Sequence, residues 1–247
     1  MSIDQVRFEE AREKIIGKNR ARQGIGTLAE KTMHAVLKNY YAPDEDKHEV
    51  PIGNYVADIY TGTEIIEIQT RSMDRMRNKL EAFLPLYLVT IVYPIPQEKW
   101  LYWIDEETGE VSQKRKSPKK GNPYQAFIEL YKIRPFLSNP NLRLRLDLID
   151  MEEYRLLNGW SSDKKKGSER YDRIPTRFSE EICIDCIRDY MQLIPYELPE
   201  QFTVKDFAKC AKIPVRLAGT VLLIFYDLKL VSRIGKKGNS YIYEVNE

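Results

Sequence analysis

The stretch Tyr55-Val-Ala-Asp-Ile-Tyr-Thr-Gly-Thr-Glu-Ile-Ile-Glu-Ile-Gln-Thr70 carries two short apolar runs on either side of a Thr61-Gly62 turn. That pattern predicts a β-hairpin. Side chains alternate along a strand, so Val56, Asp58 and Tyr60 share one face of the first arm. Ile65, Glu67, Gln69 and Arg71 share one face of the second. Ile66, Ile68 and Thr70 are its expected packing side. Carboxylates on otherwise apolar strands are costly to bury without partners. Mg²⁺ suits such a pair, because it takes one or two carboxylates and keeps several waters. Asp58 and Glu67 are therefore candidate metal ligands.

Working outward, residues 24–41 read as an amphipathic helix capped by Thr27, with Glu30 and His34 one turn apart on a common face. A short strand near His48-Glu-Val50 precedes the hairpin. A basic helix from Met73 to Phe83 follows it, with Ser72 as the expected cap, and then an apolar strand from Leu86 to Tyr93. Helix, three strands, helix, strand, with Glu30, Asp58, Glu67 and Gln69 at these places, resembles the PD-(D/E)XK nuclease superfamily over residues 24–95. The resemblance implies a restriction-endonuclease-like mixed sheet flanked by helices. It also implies a phosphodiesterase or endonuclease activity that depends on Mg²⁺ or Mn²⁺. Glu30, Asp58, Glu67 and Gln69 would be the catalytic set, with Glu30, Asp58 and Glu67 as the metal ligands. Gln69 stands where the superfamily usually has lysine, and an amide supplies no positive charge. Arg71 and Lys79 are candidates to supply it. His34 is a candidate general base, with a satisfied structural histidine as the other reading.

The chain has 247 residues and a formal net charge of +2, enough length for one large domain or two small ones. It has no apolar run of the ~18 residues that a membrane span needs. The charged N-terminus reads as the start of a helix rather than a signal peptide, so a cytoplasmic location is expected. Basic residues gather in three places: Lys114 to Lys120, Lys164 to Arg177, and the helix carrying Arg71, Arg75, Arg77 and Lys79. Each cluster can neutralise phosphates, and each loop also fits a plain solvated surface. Cys183 and Cys186 fall in a stretch with a helical pattern, Glu180 to Met191. With only Cys210 elsewhere, no four-thiolate zinc site can be built, and buried apolar thiols are expected.

Further hairpin, helix and strand signals (99–115, 122–137 and 142–149) can extend the sheet, the last as a half-buried strand near its edge. The expected organisation is a nuclease-like domain over 1–160, a basic linker over 161–178, and a small domain over 179–247. In that last part, helices at 203–212 and 215–228 meet at a Pro214 turn and precede a basic hairpin. The arrangement resembles a winged helix-turn-helix domain, which implies DNA contact through Arg216, Lys236 and Lys237. Against that, nine basic residues face ten acidic ones over 179–247, and the second helix is strongly apolar. A protein-docking or homodimer interface therefore stays open beside DNA contact. The expected class is α/β (α+β) with a small winged-helix domain. The expected partner is nucleic acid, with double-stranded DNA favoured. The alternative is a catalytically inactive DNA-binding or regulatory protein that uses the same fold as a platform.

Overall fold

The computed structural model describes residues 3–22, 32–160 and 166–246. The chain opens with helices α1 (Gln5–Arg22) and α2 (Thr32–Tyr41), followed by strands β1 (His48–Ile52), β2 (Tyr55–Tyr60) and β3 (Glu64–Ile68). The tight β2–β3 connection needs a positive φ, and Gly62 provides it at +101°. A 3₁₀ turn (Met73–Met76) leads into helix α3 (Arg77–Phe83) and the long strand β4 (Leu88–Ile104). A short strand β5 (Arg115–Lys116) and helix α4 (Phe127–Leu130), the latter between two 3₁₀ segments, precede strands β6 (Leu142–Trp160) and β7 (Lys166–Ile184).

These strands form one mixed sheet in the order β1-β2-β3-β4-β6-β7, with β5 added along β4. Its first three strands are antiparallel, β3–β4 and β4–β6 are parallel, and β6–β7 is antiparallel again. Parallel strands are covered on both faces, which is why β4 opens on a nearly unbroken apolar run. One face buries Ile59, Ile66, Ile68 and Val92 against Phe8 of α1 and Met33, Val36 and Leu37 of α2. The other buries Ile65, Val89, Ile91, Leu144 and Leu146 against Met76, Leu80, Phe83, Phe127 and Leu130. The expectation of one packing side for β3 is thus corrected: its residues 65–68 are all buried, because layers cover both faces.

Several other expectations change. Most of the anticipated linker is strand: β7 pairs with β6 from Trp160–Lys166 to Leu144–Ile184, and residues 161–165 lie outside the described set. The segment 142–149 lies one strand in from the sheet edge, between β4 and β7, and it is almost wholly buried rather than half-buried. The helical pattern read at 180–191 is the end of β7 followed by a 3₁₀ helix, Ile187–Leu193. Cys186 is exposed there and Cys183 half-buried, so the C-x-x-C is not a pair of core thiols. Ser72 sits in the left-handed region at φ +58° and makes no side-chain cap; the Met73 N–H is taken instead by Glu129, 2.8 Å away. The Thr27 cap lies outside the described residues.

The C-terminal part comprises strand β8 (Gln201–Thr203), helices α5 (Val204–Cys210) and α6 (Val215–Asp227), and strands β9 (Val231–Lys237) and β10 (Ser240–Val245). Thr203 caps α5 in a reciprocal capping box with Asp206. Pro214 is the residue before α6 rather than its first helical position. The three strands form a separate sheet, β8-β10-β9. Its core is not separate: Phe225 of α6 meets Phe127 edge-on at 5.5 Å, Phe207 meets Tyr124 at 5.8 Å, and all belong to the cluster that covers the large sheet. No helix among the described residues is long and apolar enough to cross a membrane.

One buried charge bears on stability. Asp147 on β6 is fully enclosed, pairs across the strands with Glu181, and is bonded by the Tyr41 hydroxyl at 3.0 Å. Burial, reinforced by the Glu181 charge, holds its carboxyl well above the usual range; Tyr41 and Arg145 only partly offset this. A raised carboxyl favours the fold while it stays protonated, so this contribution is present below the unfolded pKa and lost as pH rises through the folded one. Asp147→Asn is therefore expected to raise Tm by several degrees at pH 8 and to change it little at acid pH, in thermal melts across that range.

Candidate active site

The register that pairs Ile59 with Ile66 and Tyr60 with Ile65 sets Asp58 opposite Glu67 one step further on. The two carboxylates are held from different layers. From α2, His34 places Nε2 3.1 Å from Asp58 Oδ2, and the Ile68 N–H donates to the same oxygen at 2.8 Å. From α3, Lys79 donates from Nζ to both oxygens of Glu67, at 2.8 and 3.0 Å. Glu67 is 2% exposed, whereas about a fifth of the Asp58 side chain reaches solvent.

Their electrostatics diverge. Burial raises the Asp58 carboxyl, but the His34 contact, the Ile68 N–H and the Lys79 charge outweigh it and leave it below the usual range. At Glu67, burial and then the neighbouring Asp58 charge push the carboxyl from 4.5 up to about 7, with Lys79 only partly restoring it. Two adjacent carboxylates whose environments drive them apart are a common mark of a functional site. As a donor set they suit a hard divalent cation, since the ion would relieve the mutual repulsion that one lysine does not cancel. Among the described residues, no group of three or more His, Cys, Asp or Glu side chains is arranged to hold a metal. Glu30, the expected third acid, lies outside the described residues.

The remaining expected residues divide sharply. The Gln69 amide nitrogen donates to the Arg71 carbonyl and, at 3.3 Å, to that of Ser72. It therefore fixes the loop that leads into α3. Lys79, one of the two expected sources of positive charge, is the cation that meets Glu67. Arg71 and Arg75 are exposed, while Arg77 donates to the Lys132 carbonyl at 2.6 Å. The Lys114–Lys120 cluster is largely used within the chain. Lys114 bonds Glu152, Lys116 and Lys120 face Glu98, and the first two also lie over the Trp100 ring.

Arg216 is exposed in the first turn of α6, and Lys236 and Lys237 are exposed on β9. Much of α6 is enclosed: Ala218, Val221, Leu222, Ile224 and Phe225 are all buried, and Asp227 at its end pairs with Arg134 at 3.0 Å. A helix seated this way offers few side chains to base edges. A cavity of about 350 Å³ lined by Leu137, Leu142, Leu144, Ile184 and Tyr190 contains none of the expected site residues. Sequence reasoning missed Glu153, a fully buried acid on β6 ringed by cations. Its signal was the alternation Glu153-Tyr-Arg155 opposite a strand carrying Arg170 and Arg173.

No solved structure matches this chain. A protein of Treponema pallidum (strain Nichols), described as uncharacterized, is 27% identical over 232 residues, which cover 89% of this chain and 86% of that protein. A family model described as a domain of unknown function, DUF8091, matches residues 31–185. That span takes in α2, the whole large sheet and both carboxylates, and it stops one residue after β7. The chain belongs to the DUF8091 family.

Proposed function

We propose that this protein is a divalent-metal-dependent nuclease that hydrolyses phosphodiester bonds, with DNA as the favoured substrate. The observation that carries the reading is the buried Glu67 carboxylate set beside Asp58 on adjacent antiparallel strands, with Lys79 2.8 Å away. The element order supports it as well, since helix, three antiparallel strands, helix and parallel strand is what the PD-(D/E)XK resemblance implies. Asp58 and Glu67 would hold Mg²⁺ or Mn²⁺, which when bound lowers the pKa of a coordinated water and stabilises charge on phosphate oxygens. Lys79 balances Glu67 and puts a cation where phosphate charge must be met. His34 orients Asp58, and at 3.1 Å it can also exchange a proton with it. In this reading the C-terminal part is a winged-helix-like module whose basic hairpin, with Lys236 and Lys237, reaches nucleic acid, while α6 serves mainly as packing.

The binding-platform alternative has one observation in its favour. The Gln69 amide nitrogen is engaged by the Arg71 and Ser72 carbonyls, which leaves only its amide oxygen to orient a water. The deciding experiment is cleavage of plasmid, duplex and single-stranded oligonucleotides with Mg²⁺ or Mn²⁺. Cutting that is lost with EDTA and in Asp58→Ala is the expected result. Cutting unaffected by Asp58→Ala overturns the site. No cutting by the wild type, with nucleic-acid binding retained, would favour the platform.

A further inference from the structure

Beyond the sheet core, β4, β6 and β7 continue as a long extension in which Leu101, Glu153 and Arg173 are aligned, as are Trp103, Arg155 and Arg170. Side chains in register across neighbouring strands share a face, so these residues are gathered on one side of the extension. Glu153 is at their centre with no exposed surface. Four cations converge on it: Arg155 at 2.7 Å, Arg173 at 3.1 Å, Lys99 at 3.3 Å and Arg170 at 3.4 Å. One cation would neutralise the carboxylate, so four leave an excess of three positive charges around it. Of the other acids here, Glu152 is engaged by Lys114 and Tyr102. Asp172 is bonded by the backbone N–H of Thr32 at 3.2 Å.

That last contact fixes where the cluster lies. Thr32 is the first described residue of α2, two residues before His34, so the Arg170–Arg173 segment abuts the start of the helix that contacts Asp58. Arg71, four residues after Glu67, is close enough to Arg170 to repel it. The cations also feel each other. Burial and then the Arg173 charge lower Arg170, while burial lowers Lys99 despite Glu153 beside it. Arginines forced together around one carboxylate make a preorganised anion site: Glu153 holds the guanidinium groups in place, and their unmet charge is available to a phosphate.

We propose that Lys99, Arg155, Arg170 and Arg173 form a phosphate-binding cluster, organised by Glu153, that grips the nucleic-acid backbone beside the Asp58–Glu67 site. The proposal rests on the nuclease reading for its ligand, and it assigns backbone binding to the β4–β6–β7 extension rather than to α6. Arg170 is the natural residue to test, because it is exposed and its loss leaves three cations on Glu153.

The test is fluorescence anisotropy of a labelled DNA duplex and a labelled single-stranded RNA in EDTA, as a function of salt, for wild type, Arg170→Ala, Arg170→Ala/Arg173→Ala and Arg170→Lys. For at least one of the two nucleic acids the double variant is expected to bind roughly tenfold or more weakly, and the log–log salt dependence to fall by about 2, near one unit per lost phosphate contact. Arg170→Lys should keep most of the slope. Thermal melts show whether each variant is folded, and the single Arg170→Ala variant decides the matter if the double one is not. Unchanged affinity and slope in a folded variant overturn the proposal, as does a wild type that binds neither nucleic acid. Cleavage is scored separately. A wild type that never cuts, but loses salt-dependent binding in these variants, refutes the nuclease reading and supports the cluster. Normal cutting with unaltered binding does the reverse.

Discussion

Glu67→Gln is expected to abolish the metal-dependent cleavage proposed above and, with chelator present, to make the protein more stable above pH 7. The loss of activity should be about a thousandfold or more, the usual scale for removing a group that positions charge at the reacting centre. The gain in stability follows from the same carboxyl. Its pKa is pushed from 4.5 to about 7 by burial and by Asp58. The folded protein thus holds this proton more tightly than the unfolded chain does. The resulting stabilisation is complete below about pH 4.5 and lost as pH rises through about 7. At 1.36 kcal/mol per pKa unit, ionised Glu67 destabilises the metal-free fold by about 3 kcal/mol. The glutamine amide cannot ionise, so the advantage of the variant should grow between pH 5 and 8 and vanish in acid. Chemical denaturation at the two pH values measures it. A glutamine variant that is less stable at pH 8, or that still cuts at the wild-type rate, would show that Glu67 is an ordinary structural acid.

Phe225→Ala is expected to destabilise the whole molecule by about 3–5 kcal/mol, the range for removing a fully enclosed aromatic side chain. Phe225 is completely buried and packs edge-on against Phe127, which belongs to the layer beneath the large sheet, and against Phe207. The C-terminal part and the sheet should therefore melt together, with one transition moving to lower temperature by several degrees. Two separate transitions, only the smaller of which moves, would restore the two-domain picture read from the sequence. On the same grounds, deleting residues 179–247 should not leave the rest of the chain intact. The cut falls inside β7 and strips α6 from the aromatic cluster.

Where local pattern and tertiary setting agree, the chain was legible. The Thr61-Gly62 turn between two apolar runs required a hairpin, because a tight reversal needs a residue that tolerates positive φ and Gly62 supplies it. Hairpin pairing then put Asp58 against Glu67. The capping residues around α5, and the two helices and hairpin that follow, were equally local signals. Lys79 was read as a candidate charge near the site, but only the packing of α3 on the sheet brought it to 2.8 Å from Glu67.

The misreadings share a physical cause. Residues 166–178 look like a linker because they are polar and basic, yet they form a long strand. Its ladder is satisfied by β6, and its arginines are drawn to a buried acid on that neighbouring strand. Nothing within the segment itself records that acid. The strongly apolar α6, read alone, left packing, docking and DNA contact all open. Its apolar surface is used against Phe127 and its neighbours, a contact made across 98 residues of sequence between Phe127 and Phe225. The two loop carbonyls that the Gln69 amide meets are likewise not recorded in its position in the sequence.

The hairpin, the order of elements around it and the pairing of two carboxylates are products of short-range periodicity and turn chemistry, and the chain alone was enough to read them. Three-dimensional packing was needed to show which cation meets Glu67, that one core joins the two halves, and that four scattered cations converge on Glu153. Those depend on layers and strands meeting across long separations, where burial and charge act through space and leave no local pattern in the chain.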